Sequence, residues 1–380
     1  MTGQAQTIGL DARPYALTRT GVERFAEQIA HGMLEADPNR RLIFFADQPL
    51  PGSVAQKLPG ELVTLEPRGA LAKLPVDYWL ARQVGAALPA HGVDVFYSIS
   101  SKLPFGPVPA VTTIHGMEWW RRPESYTRSQ KIKQAAWMAL TRRFAARVVC
   151  FAEATRRDVS NYCGAPMAQL RLASEAASAQ FRPLPAEGLT PDPDLGAEPF
   201  LLILGTMEPR KNVAATIRAY AEFAQKAEAP PALAIVGKAA WKSEELREVV
   251  AQAGLEDKVH FLGFVEDERL VRLLNQARAL LFLSLYEGFG LPILEAMACG
   301  TPVVTSTISS MPEVAGEAAL LADPGDPAAM TQAIAQISTD DAMVTDLAAK
   351  GLKRATEYSW RRAGGEILQI LDEAYDSAKS

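Results

Sequence analysis

Glu287-Gly-Phe-Gly-Leu-Pro-Ile-Leu-Glu295 is the stretch on which the reading of this chain turns. It follows the apolar run Ala279-Leu-Leu-Phe-Leu-Ser284 and leads into small residues with helical character. An apolar run, a glycine turn and a helix together make a strand-to-helix junction of an α/β sheet. Pro292 suits the first position of that helix, where its missing N–H costs nothing. The turn Gly288-Phe289-Gly290 then presents backbone N–H groups beside the partial positive charge of a helix start, which suits a phosphate. Glu295 falls about one turn into the helix, placed to accept both protons of a ribose diol. Glu287, at the strand tip, faces whatever is attached beyond the phosphates. These parts follow the order of a sugar-bearing nucleotide diphosphate. Any βα junction with acids in its first turn has the same spacing, so the pattern alone leaves both readings open.

Outward from this segment the chain alternates apolar runs with amphipathic stretches. In the first half, strands are expected at 8–12, 42–46, 93–98, 110–114 and 147–151, and helices at 22–34, 76–88, 129–145 and 154–162. In the second half, strands are expected at 200–204, 233–236, 259–262, 279–284 and 302–305. Helices there are expected at 213–226, 243–253, 267–277, after Pro292, at 327–337, 341–358 and 360–378. Such alternation argues for parallel βαβ units. Between the halves, Pro183-Leu-Pro-Ala-Glu-Gly-Leu-Thr-Pro-Asp-Pro-Asp194 is rich in Pro and acid, which reads as a linker. The expected organisation is a Rossmann-like domain over 1–182, a linker over 183–199 and a second Rossmann-like domain over 200–358. A terminal helical segment is expected over 359–380. The expected site is a cleft at the strand C-termini of both sheets.

A chain of 380 residues exceeds one ordinary core. No run approaches 18 apolar residues, and the N-terminus lacks a basic-then-apolar leader, so a cytoplasmic protein is expected. Cys150, Cys163 and Cys299 cannot all pair and read as buried thiols. The net charge of −5 is uneven: residues 1–186 hold 22 Lys/Arg against 15 Asp/Glu, and residues 187–380 hold 17 against 29. Positive charge gathers at Trp119-Trp-Arg-Arg122, Arg128, Lys131, Lys133, Arg142, Arg143 and Arg147. That stretch reads either as a solvated helix face or as a peripheral contact with anionic lipid at the inner face of a membrane. Nucleic acid is not expected, because the pI is acidic and no recognition module appears.

A second element, Gly205-Thr-Met-Glu-Pro-Arg210-Lys211-Asn212, follows the strand at 200–204. Adjacent cations at a strand end before a helix would hold fixed positive charge where a departing diphosphate gathers negative charge. Arg210 is suited to bidentate contact and Lys211 to a compact point charge.

With these segments in view, the chain resembles glycosyltransferase family 4, retaining glycosyltransferases of GT-B fold. The matching motifs are Ile8-Gly-Leu-Asp-Ala-Arg-Pro14 with Thr20-Gly-Val-Glu-Arg-Phe25, Thr112-Thr-Ile-His-Gly116, Leu204-Gly-Thr-Met-Glu-Pro-Arg-Lys-Asn212 and Val259-His-Phe-Leu-Gly-Phe-Val265. Tyr286-Glu-Gly-Phe-Gly-Leu-Pro-Ile-Leu-Glu-Ala-Met-Ala-Cys-Gly-Thr-Pro-Val-Val-Thr-Ser306 and Met311-Pro-Glu-Val-Ala-Gly-Glu-Ala-Ala319 complete them. The resemblance implies two Rossmann-like domains with parallel sheets facing across a cleft, an acceptor-side domain over 1–182 and a sugar-nucleotide-binding domain over 200–358, with the terminal helix crossing back to the first. It implies that Arg210 and Lys211 bind the donor diphosphate, that Glu295 holds the ribose and that Glu287 holds the transferred sugar. Phe289, Gly290 and Leu291 would offer backbone amides beside Gly205, and Gly263 and Val265 would meet the base. Gly21, in the turn before the first long helix, would let backbone approach the donor, and His115 would face the sugar. His31, His91 and His260 receive no role. No metal and no cofactor are expected, and Asp192-Pro-Asp194 is set aside as linker.

The implied reaction moves a hexose, mannose from GDP-mannose being the leading choice, from a nucleotide-diphosphate sugar to a glycan or lipid-linked acceptor. A sugar-nucleotide epimerase of the same fold and a non-catalytic nucleotide-sugar-binding subunit are the alternatives. The chain departs from the family at Thr206, where an Arg is common, at Phe151-Ala-Glu153 and at Ser174-Glu-Ala-Ala-Ser178.

Overall fold

The computed structural model describes residues 6–16, 21–185, 187, 189–238 and 243–379. The chain forms two compact units, Met1–Glu175 with Ser359–Ser380, and Ala176–Tyr358.

The first unit is built on seven parallel strands: β1 (Thr7–Asp11), β2 (Arg41–Ala46), β3 (Glu61–Thr64), β4 (Val95–Ser98), β5 (Ala110–Thr113), β6 (Arg147–Cys150) and β7 (Leu170–Leu172). They lie in the order β3-β2-β1-β4-β5-β6-β7. Every residue of β1, β4 and β5 is buried, as a sheet covered by helices on both faces requires. β3 and β7 had no apolar run to announce them. They are short edge strands with half-exposed residues, held by pairing to β2 and β6 rather than by their own burial.

Two helices of this unit, Gly21–Ala36 and Trp360–Lys379, cross with almost no separation. A Cβ on Gly32 would stand 2.1 Å from the Trp360 carbonyl oxygen, and one on Gly364 would stand 2.1 Å from the Gly32 carbonyl carbon. Paired glycines therefore set the crossing. Ala363, Ile367, Leu368, Ile370, Leu371 and Ala374 of the terminal helix are buried in the same unit. Arg40 locks its far end through two 2.8 Å bonds to Asp372.

The helix expected at 76–88 is shorter and wider than its pattern implied. Trp79–Val84 is π-helical and continues through brief turns to His91. The Ala81 carbonyl accepts from the Phe105 N–H at 2.8 Å, which draws an acceptor out of the helical ladder.

The second unit carries β8 (Phe200–Leu204), β9 (Ala232–Val236), β10 (Val259–Gly263), β11 (Ala279–Phe282), β12 (Val303–Ser306) and β13 (Leu320–Ala322) in the order β10-β9-β8-β11-β12-β13, all parallel. In sequence terms this is the 3-2-1-4-5-6 order of a dinucleotide-binding sheet. Leu201, Ile203, Leu281 and Val304 of the strands pack with Ile217, Tyr220, Ile334 and Ile337 of the flanking helices.

The segment 183–199 is not a free linker. It belongs to the second unit, whose boundary falls between Glu175 and Ala176. Two of its acids are partners of Arg269: Asp192 accepts from Nε at 2.8 Å and Asp194 from the guanidinium at 2.6 Å. Leu184 N–H donates to Asn275 at 2.7 Å. Among the described residues, no helix is long and apolar enough to cross a membrane.

Candidate functional site

In the second sheet the order reverses between β8 and β11, so the segments leaving these two strands form the crevice where such sheets hold ligands. Those segments are the two singled out by sequence, 205–212 and 283–295. The turn after β8 is packed tightly against its neighbour. Gly205 N–H donates to the Val236 carbonyl at 2.9 Å, and Gly237 N–H to Gly263 at 2.8 Å. Gly205 and Gly237 have φ of 143° and 149°, a region that favours glycine. A Cβ on Gly237 would sit 2.0 Å from the Gly205 carbonyl oxygen, and one on Gly205 would press on Lys211 Cε at 3.2 Å. Bare backbone at both positions makes room for the lysine.

Lys211 Nζ lies 2.7 Å from Glu287 Oε1, and an Arg210 guanidinium nitrogen donates to Glu287 Oε2 at 2.9 Å. Arg210 Nε donates in turn to Glu208 at 2.8 Å. The Leu285 N–H donates to the Arg210 carbonyl at 2.7 Å, which stitches the two segments together at the backbone. Lys211 and Glu287 side chains are only 10% and 9% exposed, and Lys211 Nζ also lies 4.7 Å from the centre of the Phe282 ring. Burial is the largest influence on both groups. It lowers the Lys211 pKa, against the pull of Glu287. Burial by itself would raise the Glu287 pKa, but the charges of Lys211 and Arg210 outweigh it and hold that carboxyl below its ordinary value. One carboxylate is therefore bracketed by two cations in a place with little water, a strong fixed field.

The turn that follows is anchored from β12. Ser310 Oγ donates to the Glu287 carbonyl at 3.0 Å and to the Phe289 carbonyl at 2.7 Å. Ser309 Oγ donates to the Glu287 carbonyl at 2.7 Å, and the Glu287 N–H donates back at 3.2 Å. Ser310 precedes the short helix Met311–Ala315 but makes no side-chain cap, because its hydroxyl is used on this turn. The next helix is Leu291–Ala298 with Gly290 as its cap, so Pro292 is its second residue and not its first. An N–H there also lacks a partner within the helix, so proline is equally tolerated. Glu295 is buried one turn in. Val265 is buried just beyond Gly263 at the end of β10.

The structure thus brings Arg210, Lys211 and Glu287 into contact, with Gly205 beneath the lysine and Phe289, Gly290, Leu291 and Glu295 on the adjoining turn and helix. Asn212 stands at φ 58° before the helix Val213–Ala224, which starts at the expected residue and ends two residues early. Glu208, Ser309, Ser310 and Gly237 were missed. Glu208 lies inside the quoted motif, and the Ser-Ser pair before Met311-Pro312 was the available signal for the turn anchors.

His115 and Gly21 belong to the first unit. Gly21 is the first residue of the helix Gly21–Ala36, not part of a preceding turn, and 17–20 lie outside the described residues. His115, two residues beyond β5, donates from Nε2 to the Ile99 carbonyl at 2.9 Å. Its Nδ1 lies 3.6 Å from the buried Glu175 carboxylate, a charge contact. Burial pulls the imidazole pKa down, but Glu175 and the Ile99 carbonyl outweigh it and the net shift is upward. Glu175 is the partner that sequence reading registered only as a departure at Ser174-Glu175.

The cationic stretch is partly neutralised. Arg121 Nε donates to Asp158 at 2.9 Å, Lys133 lies 3.3 Å from Asp77, and Arg147 lies 3.5 Å from Glu373. Trp119 is buried and Trp120 is exposed. Cys150 and Cys299 are buried free thiols, whereas Cys163 is only half-buried. Among the described residues, no group of three or more His, Cys, Asp or Glu side chains is placed to hold a metal ion.

Two parallel sheets that each reverse their strand order, the second with cations at its reversal, define a doubly wound α/β class, and comparison with known proteins refines it. The family model described as glycosyl transferases group 1 matches residues 193–354, and that described as Glycosyltransferase Family 4 matches residues 19–174. O-antigen chain mannosyltransferase B of Escherichia coli is 32% identical over 262 residues, 68% of this chain and 69% of that one. Among solved structures, sucrose-phosphate synthase from Thermosynechococcus elongatus superposes with a TM-score of 0.75 at 20% identity, covering 96% of this chain and 98% of that one. The Anabaena protein HepE, solved with UDP and glucose, gives 0.74 at 20% identity, covering 97% and 99%. The chain belongs to the group 1, family 4 glycosyltransferases of GT-B fold, and it is a glycosyltransferase.

Proposed function

We propose that the chain transfers a hexose, mannose from GDP-mannose being the leading choice, to a glycan or lipid-linked acceptor with retention of anomeric configuration. The observation that carries this is the Arg210–Glu287–Lys211 group, with its carboxylate buried, at the strand reversal of the second sheet. The mannosyltransferase relative supports the choice of sugar.

In this reading Arg210 and Lys211 turn to the donor diphosphate and stabilise the charge that grows on it as the glycosyl bond breaks. Glu208 keeps the guanidinium oriented while it does so. Glu287 accepts from hydroxyls of the transferred sugar, and Glu295 accepts from the ribose diol. The amides of Phe289, Gly290 and Leu291 face sugar and phosphate, and Gly263 and Val265 border the base. His115 and the Gly21 backbone approach the sugar from the acceptor side. A departing phosphate oxygen takes the acceptor proton, so neither a metal nor a further base is required. The proposed setting is cytoplasmic, at the inner face of a membrane, with the basic 119–147 stretch as a peripheral contact.

Incubation with GDP-mannose and an extract of glycan and lipid-linked acceptors tests this, with anomeric protons of the product read by NMR. Release of GDP with a product of the donor's configuration is expected. Inversion, or no transfer from any nucleotide sugar, would contradict it. Interconversion of the free nucleotide sugar without an acceptor would favour the epimerase.

A further inference from the structure

A second concave site lies in the first unit, between the helix Arg128–Phe144 and the segment leading into Trp79–Val84. It encloses about 640 Å³ and is lined mainly by Tyr78, Ala81, Phe105, Ile132, Trp137 and Leu140. Tyr78 and Ile132 are 51% and 62% exposed, large apolar side chains left open to water. Contiguous exposed apolar surface of this kind marks a binding site.

Charge is concentrated at one end of the groove. Asp77, itself buried, lies 3.3 Å from Lys133, 3.7 Å from Lys102 and 3.7 Å from Arg13. Arg13 is also held by Asp11 at 2.6 Å. With Asp47, which also acts on Arg13, three carboxylates face three cations, and Arg82 on the groove wall brings the total to one positive charge in surplus. Arg13 follows β1 and Lys102 follows β4, the two strands between which this sheet reverses its order. That edge is where open α/β sheets hold ligands.

We propose that the groove binds the hydrocarbon chain of a phosphate-linked lipid acceptor, with its phosphate on Lys133, Lys102 and Arg13. An apolar trough ending in surplus positive charge complements an anionic amphiphile and neither a free sugar nor a neutral lipid. The inference rests on the transferase reading for the lipid's role as acceptor, but its test requires no donor and no turnover.

The test is calorimetric titration with dodecyl phosphate below its micelle threshold, using the wild type, Ala136→Trp to fill the groove and Lys133→Glu to reverse the charge. Both positions are exposed on the helix, and unchanged circular dichroism and melting confirm the fold of each variant. Saturable binding by the wild type is expected, weakened at least about tenfold in each variant, with dodecyl maltoside and inorganic phosphate each binding far more weakly. Equal binding by the variants, or equal binding of dodecyl maltoside, would overturn the proposal. So would phosphatidylglycerol vesicle binding that A136W abolishes without any binding of dodecyl phosphate, which would assign the groove to the bilayer. A dimer in light scattering that A136W disrupts would assign it to a second copy, with the same consequence.

Discussion

Lys211 and Glu287 meet at 2.7 Å although 76 positions separate them in sequence, and each leaves a different strand at the point where the second sheet reverses. The contact links the two motifs into one charged group, because Glu287 also receives Arg210. Lys211→Ala would leave Glu287 buried with one cation in place of two. Removing a partner from a buried pair costs about 3 kcal/mol, and a fall of that order is expected in denaturant unfolding of the second unit. Loss of a charge aimed at the leaving group lowers kcat/KM on the order of 100-fold. A folded K211A enzyme with wild-type kinetics would remove Lys211 from the site.

Ser310→Ala tests the anchoring of the glycine turn. The variant leaves the Glu287 and Phe289 carbonyls without this hydroxyl, at a cost of roughly 1–2 kcal/mol. Because the turn carries the proposed sugar contacts, donor KM is expected to rise more than the melting temperature falls. An unchanged KM in steady-state kinetics would show that the turn keeps its shape without Ser310.

Gly237→Ala acts at a distance on Lys211. The new Cβ would stand 2.0 Å from the Gly205 carbonyl, so the turn beneath the lysine must move, and φ of 149° is itself unfavourable to alanine. Weaker donor binding with an intact fold is the expected result in thermal-shift titration. Undiminished binding would mean that the Gly205 turn does not position Lys211.

His115 gives the first unit a pH dependence whose sign follows from its raised pKa. The stabilisation it gains from Glu175 is fully present below the ordinary imidazole value near 6.5 and fades as pH rises through the folded value. An NMR titration of His115 is expected to show a midpoint above 6.5 that drops in Glu175→Gln. A midpoint that ignores the substitution would assign the shift to another group. Stability of the wild type relative to His115→Gln is expected to decline over the same window.

Gly32→Ala and Gly364→Ala probe the helix crossing of the first unit. Each Cβ would fall 2.1 Å from opposing backbone, which cannot rotate away as a side chain can. A loss of at least about 2 kcal/mol is expected in denaturant unfolding, the scale of an overpacked core. A neutral effect would mean that the helices separate freely.

The alternation of apolar runs and amphipathic stretches was enough to announce ten of the strands, including 200–204 to the residue. It missed β3, β7 and β13, since short edge strands owe their existence to a neighbour's hydrogen-bonding edge and leave no run of their own. The 183–199 stretch reads as a linker by composition for a related reason: Arg269, the charge partner that ties it to the second unit, lies 77 positions beyond Asp192. Arg210, Lys211 and Glu287 stand out in the sequence because each sits at a strand end within a distinctive motif. Their mutual pairing does not, and neither do Ser310 and Glu175, whose roles depend on contacts across the fold. The Gly32–Gly364 crossing likewise joins helices at opposite ends of the chain.

The central claim is that Arg210 and Lys211, paired at Glu287, receive the donor diphosphate. Calorimetric titration of the wild type and K211A tests it most directly, using whichever of the GDP-, UDP- and ADP-sugars raises the wild-type melting temperature most. Saturable binding by the wild type, weakened at least about tenfold in a folded K211A, is the expected result. Equal affinity in the two proteins would contradict the account.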